Sequence, residues 1–458
     1  MKHPPEPNPD AFLLAPNLYL WAYQLADKKT DATFWNAANL LLSRFGKTLE
    51  ITEREKSRVL LAQGSSIGFK LQDSPEISGY LQPLKLKDSY AVRANLGYDD
   101  EQDALDRVDV QQLSALQFNW VPPQENFLGQ TLLVTAYLSR VNQQRDLKKL
   151  RNLADHCYQV LFTQSPQFCR QGTLFGSPIF EYNPTSEDDT APHVLIWLFR
   201  DEEAQDKINT CMSYFTDLLF YRAKIVKAFQ NSRSMYDQLD RAYNILETKL
   251  DNLQKELDRH NDASRDDYLE SFKTSLKYFA QESLPYTRNL GKLEDFKKTI
   301  AINVYNYNEQ VAQICDRLGL DKEELSFIQQ FSDNKGQHFD RQIEADLGYF
   351  NNGIDLFNTA IASIRGTVEI DQAESDRNLE HQIQTFGSAI AVGAIVASTS
   401  TLIFQEPWTL PWQEHHGDRP HPFIIALLVS FAFALLAWGG VKLLIWCSAR
   451  RRSGRKNP

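Results

Sequence analysis

The sequence predicts an α+β cytoplasmic domain followed by a long helical coiled-coil stalk and a two-helix transmembrane hairpin. Three observations point there. Strand-like and helix-like pieces alternate over residues 1–205, and apolar residues then recur at heptad spacing through much of 206–385. Two stretches with little or no charge, 386–404 and 422–446, follow as a pair of candidate spans within 386–446, and a basic tail, 447–458, closes the chain.

In the N-terminal part, Leu18–Leu25, Ser66–Leu71, Tyr90–Leu96, Gln130–Tyr137, Gly172–Tyr182 and His193–Phe199 read as extended, whereas 34–48 and 142–163 read as helical. A chain of 458 residues that is 42% hydrophobic and 12% aromatic has ample material for a packed core. Its net charge of −10 argues against nucleic acid as a partner. The acidic patches Asp99-Asp100-Glu101 and Glu187-Asp188-Asp189 read either as solvated loops or as regulatory cation sites.

The stalk rests on three runs. Ile225, Phe229, Tyr236, Leu239, Tyr243, Leu246, Leu250, Leu253 and Leu257 keep a 3-4 alternation with a polar gap at Ser232. After a break at Leu284-Pro285, Leu293, Phe296, Ile300, Tyr307, Val311, Ile314 and Leu318 repeat the spacing, and after Lys335-Gly336 so do Ile343, Leu347, Phe350, Ile354, Phe357, Ile361, Ile364 and Val368. No proline interrupts 337–404, so the third run is expected to continue into the first span as one helix on the order of 100 Å long. Gly348, Gly353 and Gly366 mark places where it could kink. Tyr221-Arg222 and Ser232-Arg233 stand at the start of the heptad region, either as internal polar anchors of the stalk or as solvated or locally paired arginines.

Of the two spans, 422–446 is the more apolar, with Lys442 near one end, while 386–404 is built largely of Gly, Ala, Ser and Thr. The tail residues Arg450, Arg451, Arg452, Arg455 and Lys456 place 447–458 in the cytoplasm by the positive-inside rule, and two crossings return the N-terminal body to the same side. The polar, proline-rich start offers no signal peptide, and Cys157, Cys169, Cys211, Cys315 and Cys447 form no close pair, as expected of reduced thiols. The expected location is therefore a plasma (inner) membrane, multi-pass, with both termini cytoplasmic and the lipid bilayer as a partner.

Chemistry-bearing motifs are sparse. Gly64-Ser65-Ser66-Ile67-Gly68 matches a nucleophile elbow, which requires a strand before Ser66 and a helix after it. Phe69–Leu71 looks extended and Pro75 follows soon after, so a glycine-flanked turn is the better reading, no catalytic residue is assigned and an enzyme is not expected. His415, His416, Asp418 and His421 cluster between the spans as weak candidate metal ligands.

The order of parts resembles the CorA-like family of divalent-cation channels: mixed domain, stalk, one very long helix entering the first span, short loop, second span, basic end. His193–Phe199 followed by the helix around Leu218-Leu219-Phe220-Tyr221-Arg222 is similar to that family's join between mixed domain and stalk. The family's Gly-Met-Asn signature is absent, and Thr401-Leu402-Ile403-Phe404-Gln405-Glu406 stands in its place. The resemblance implies a pentamer, no resident cofactor, and divalent cations as permeant or regulatory ions. Two functions follow. One is a divergent cation channel or transporter lined by Ser388, Ser398, Thr399, Ser400 and Thr401 with Glu406 at its mouth. The other is a membrane-anchored sensor, scaffold or effector whose hairpin serves anchoring and oligomerisation.

Overall fold

A computed structural model describes residues 12–403 except 53–56, 62–63, 99–106, 119, 124, 163–164, 184–191 and 259–264, together with 428, 430–433, 435–436 and 439. The chain forms two compact units, residues 1–249 with 281–355 and residues 250–280 with 356–458.

The first unit is built on a nine-stranded sheet. Its strands are β1 (Phe12–Leu25), β2 (Ile67–Lys70), β3 (Ile77–Leu86), β4 (Ser89–Tyr98), β5 (Arg107–Asp109), β6 (Phe127–Leu138), β7 (Phe168–Leu174), β8 (Ser177–Tyr182) and β9 (His193–Phe199). They lie in the order β2-β3-β4-β1-β6-β9-β8-β7, with β5 paired to β1, and only β6 and β9 run parallel. Alternation along each strand sends successive side chains to opposite faces. One face of β1 carries Leu18, Leu20 and Ala22 into the main core, where they meet α1 (Asp31–Ser43) through Phe34, Ala38 and Leu41. Leu150, Leu153, Cys157 and Tyr158 of α2 (Leu147–Leu161) join the same core. Each fully buried side chain of this size contributes about 1.5–3 kcal/mol.

The other face of β1 carries Trp21 and Tyr23 onto α3 (Glu202–Asp258). Trp21 Nε1 donates to Thr216 Oγ1 at 3.1 Å and the Tyr23 hydroxyl donates to Thr216 O at 2.8 Å. Both buried polar tips thus end on a single helical residue, which fixes the strand's register against the helix.

Beside α3 run α4 (Arg265–Leu318), the short α5 (Ser326–Gln330), a π-helical turn at Phe331–Gly336, and α6 (Gln337–Ile403). The heptad positions are their buried seam: Ile225, Leu239 and Leu246 on α3, Leu293, Ile300 and Ile314 on α4, and Ile343, Phe350 and Ile364 on α6 are all nearly inaccessible. In the first unit Phe229 stacks on Phe339 with centroids 3.9 Å apart, and the Tyr286 hydroxyl donates to Phe350 O at 2.7 Å. Gly353 is required there, because a Cβ would run into the Tyr286 ring. In the second unit the rings of Phe279 and Phe357 meet edge to face.

Several expectations need correction. α4 passes through Leu284-Pro285 without ending, and Lys335-Gly336 closes a π-helical turn that leads directly into α6. More importantly, the predicted transmembrane hairpin is not supplied: among the described residues no helix is long and apolar enough to cross a membrane. α6 does extend through 386–403, but most side chains of that stretch lie outside those described, so it adds no span to the described helices. Apart from scattered helical positions, 422–446 lies outside the described residues, as do 405–421 and 447–458. The multi-pass plasma-membrane location, which rested on that hairpin, is corrected with it.

Candidate functional site

A row of polar side chains crosses four adjacent strands on the face that meets the helices. Thr131 of β6 pairs in register with His193 of β9, and Arg170 of β7 pairs with Glu181 of β8. Leu133, Ile179, Leu195 and Trp197 are their apolar neighbours on this face. Arg222 enters from α3, and Tyr307 of α4 and Phe331 of the π-helical turn complete the enclosure.

Glu181, 2% exposed, is the hub. Its Oε1 accepts from His193 Nε2 at 3.0 Å and from Arg222 Nη2 at 3.2 Å, while Oε2 accepts from Arg170 Nε. Arg170 also reaches Gln330 Oε1 at 3.1 Å and lies 4.2 Å over the Phe327 ring, and Arg222 lies 4.9 Å over Phe331. Each guanidinium is therefore bonded to the carboxylate and faces an aromatic ring.

The electrostatics fix the protons. Burial alone would raise the Glu181 pKa, but the hydrogen bond from His193 and the nearby charges, Arg222 and Arg170 among them, hold it well below the usual carboxylate range. Burial, reinforced by the charge of Arg222, pushes the His193 pKa down to about 4 against the pull of Glu181. At neutral pH the imidazole is uncharged and the carboxylate only accepts, so Nε2 carries the proton. Nδ1 is then left to accept from the Thr131 hydroxyl at 3.0 Å.

Hydroxyl, imidazole and carboxylate in sequence invite comparison with a nucleophilic triad. Two features oppose it. Thr131 is 3% exposed, and the adjoining cavity of about 40 Å³ has room only for a few waters. Trp197 Nε1 is buried on the cavity wall with no protein partner among the described residues. The arrangement is a buried junction between sheet and helices.

The sequence-derived candidates fall elsewhere. Ser66 immediately precedes β2, so a strand and not a helix follows it and the nucleophile elbow is not formed. Ser388, Ser398, Thr399, Ser400 and Thr401 lie on α6, with side chains outside those described. Glu406, His415, His416, Asp418 and His421 lie outside the described residues, as do both acidic patches. No group of three or more His, Cys, Asp or Glu placed to hold a metal occurs among the described residues. Arg222 and Arg233, by contrast, are internal anchors: Arg222 binds Glu181, and Arg233 pairs with the buried Asp346 of α6. The rest of the hub was missed, although an inward Glu in Ser177–Tyr182 and a His opening the apolar run His193–Phe199 were its sequence signals.

Comparison with protein-family models and with curated proteins finds no match for this chain.

Proposed function

We propose that the chain is a non-catalytic sensor or scaffold, in which the sheet domain carries recognition and the helices carry or present the response. The observation behind this reading is the Glu181 hub, which joins Arg170 of the sheet to Arg222 of α3 through one buried carboxylate. Buried ion pairs contribute little net stability compared with apolar packing, and their best-attested use is to specify one register among alternatives. Here the specified register is that of β8 and β9 against the base of the helices, as expected where a state of the sheet must be felt along α3 and α4. The channel reading depends on two membrane spans and gains no support from the described helices.

The test is hydrogen exchange on the Arg222→Met variant. If the hub couples the two layers, exchange accelerates together in β8, β9 and the neighbouring turns of α3 and α4. Acceleration confined to the sheet would contradict the reading.

Self-association belongs to the same proposal. Ile302 and Tyr305, three residues apart on α4, are 61% and 65% exposed, an apolar pair suited to a second copy.

A further inference from the structure

The cavity of about 40 Å³ beside the hub is walled from both layers of the first unit. The sheet supplies Leu133 and Leu195, and the helices supply Phe215, Leu218 and Phe327. Such a wall makes dispersion contacts with whatever fills the space and forfeits them where nothing does.

The polar side chains on this wall are engaged within the protein, with one exception. Arg170, His193 and Arg222 bond to Glu181, and the Tyr307 hydroxyl donates to Ile328 O at 3.0 Å. Two tryptophans line the cavity, and they differ. Trp21 Nε1 donates to Thr216 Oγ1 at 3.1 Å, whereas Trp197 Nε1, on a side chain 1% exposed, has no protein partner among the described residues. Around the Trp197 indole stand the rings of Phe199, Phe175 and Phe215, with centroids 5.0, 5.6 and 6.5 Å away. Aromatic rings are weak acceptors, and a buried indole N–H ordinarily finds a stronger one.

We infer that this cavity takes a small uncharged organic molecule with an apolar body and one acceptor oxygen, such as a short-chain ketone, aldehyde or alcohol. Trp197 Nε1 donates to the oxygen, and the apolar wall covers the rest. A charged molecule is disfavoured, because it would give up its hydration to a wall whose charged groups already hold one another. The room of a few waters admits about four non-hydrogen atoms, and a molecule of that size binds no tighter than about 40 μM. The inference rests on the sensor reading above and names what is sensed. β9, α3 and the hub share the cavity wall, so an occupant touches both layers that Glu181 joins.

The experiment is titration of the full chain, its tryptophans labelled with nitrogen-15, with acetone and with 2-methylpropene, which has the same shape without the oxygen. Acetone is expected to shift the Trp197 indole signal saturably and to bind roughly five- to tenfold more tightly than 2-methylpropene. Trp197→Phe identifies that signal by its loss, and saturation transfer observed on acetone reads a similar drop in affinity. Leu218→Phe fills the cavity and abolishes acetone binding, while an unchanged urea midpoint shows the fold intact. No saturable shift, equal binding of the two probes, or binding retained by Leu218→Phe would overturn the inference and leave the sensor reading standing. Saturable binding that leaves hydrogen exchange in β9 and α3 unchanged would uphold the site and overturn the sensor reading.

Discussion

At the residue scale, the Glu181 hub makes stability depend on pH in a definite direction. The His193 pKa is held near 4 in the folded chain against an ordinary 6.5, so between these values the unfolded chain binds the extra proton and the folded chain does not. Stability is therefore full above pH 6.5 and falls as the pH drops toward 4. Below about 4.5 the depressed Glu181 pKa adds a second loss, since its carboxylate stabilises the fold only while ionised. Urea unfolding between pH 7.5 and 4.5 is expected to show this slope, and His193→Gln to flatten it. A slope of the same size in the variant would place the acid sensitivity elsewhere.

At the scale of elements, Gly336 closes the π-helical turn where it passes α4. A Cβ there would meet Val304 Cγ2 at 2.8 Å, so Gly336→Ala is expected to cost about 1–3 kcal/mol, read as a lower urea midpoint at unchanged slope. Pro285 is the opposite case. It sits inside α4, lacks the N–H a helix uses, and Pro285→Ala should raise stability by roughly 1–3 kcal/mol in the same assay. These two positions also show what the sequence could express. Heptad spacing marked the buried seams because local periodicity survives folding, but Pro285 and Lys335-Gly336 looked like helix ends although packing against neighbouring helices holds the chain helical through them. β3 was missed for a related reason: Gly79 and Pro83 resemble breakers, yet Pro83 falls beyond Leu81, where pairing with β2 has ended, so its missing N–H costs little. The hub was least legible of all. Thr131, Arg170, Glu181, His193 and Arg222 are scattered along the chain, and only the strand order β6-β9-β8-β7 brings the first four into one row.

At the scale of the whole molecule, the proposed sensor would use the sheet for recognition, the buried hub for coupling and the long helices for response. Self-association through α4 is expected to appear as a mass above the monomer's 52.7 kDa in light scattering, and Ile302→Glu to lower that mass by placing a charge in the contact. A wild-type mass equal to the monomer's over a wide concentration range would remove this part of the proposal. The central claim, that one carboxylate holds sheet and helix in register, is tested most directly by a double-mutant cycle on Glu181→Gln and Arg222→Met, followed by urea unfolding at pH 7. Each single change removes one charge of a buried pair and is expected to cost about 3–5 kcal/mol, whereas the double variant should cost clearly less than the sum, with a coupling of about 1–3 kcal/mol. Additive costs would contradict the account, because Glu181 and Arg222 would then be buried side by side without holding the two layers together.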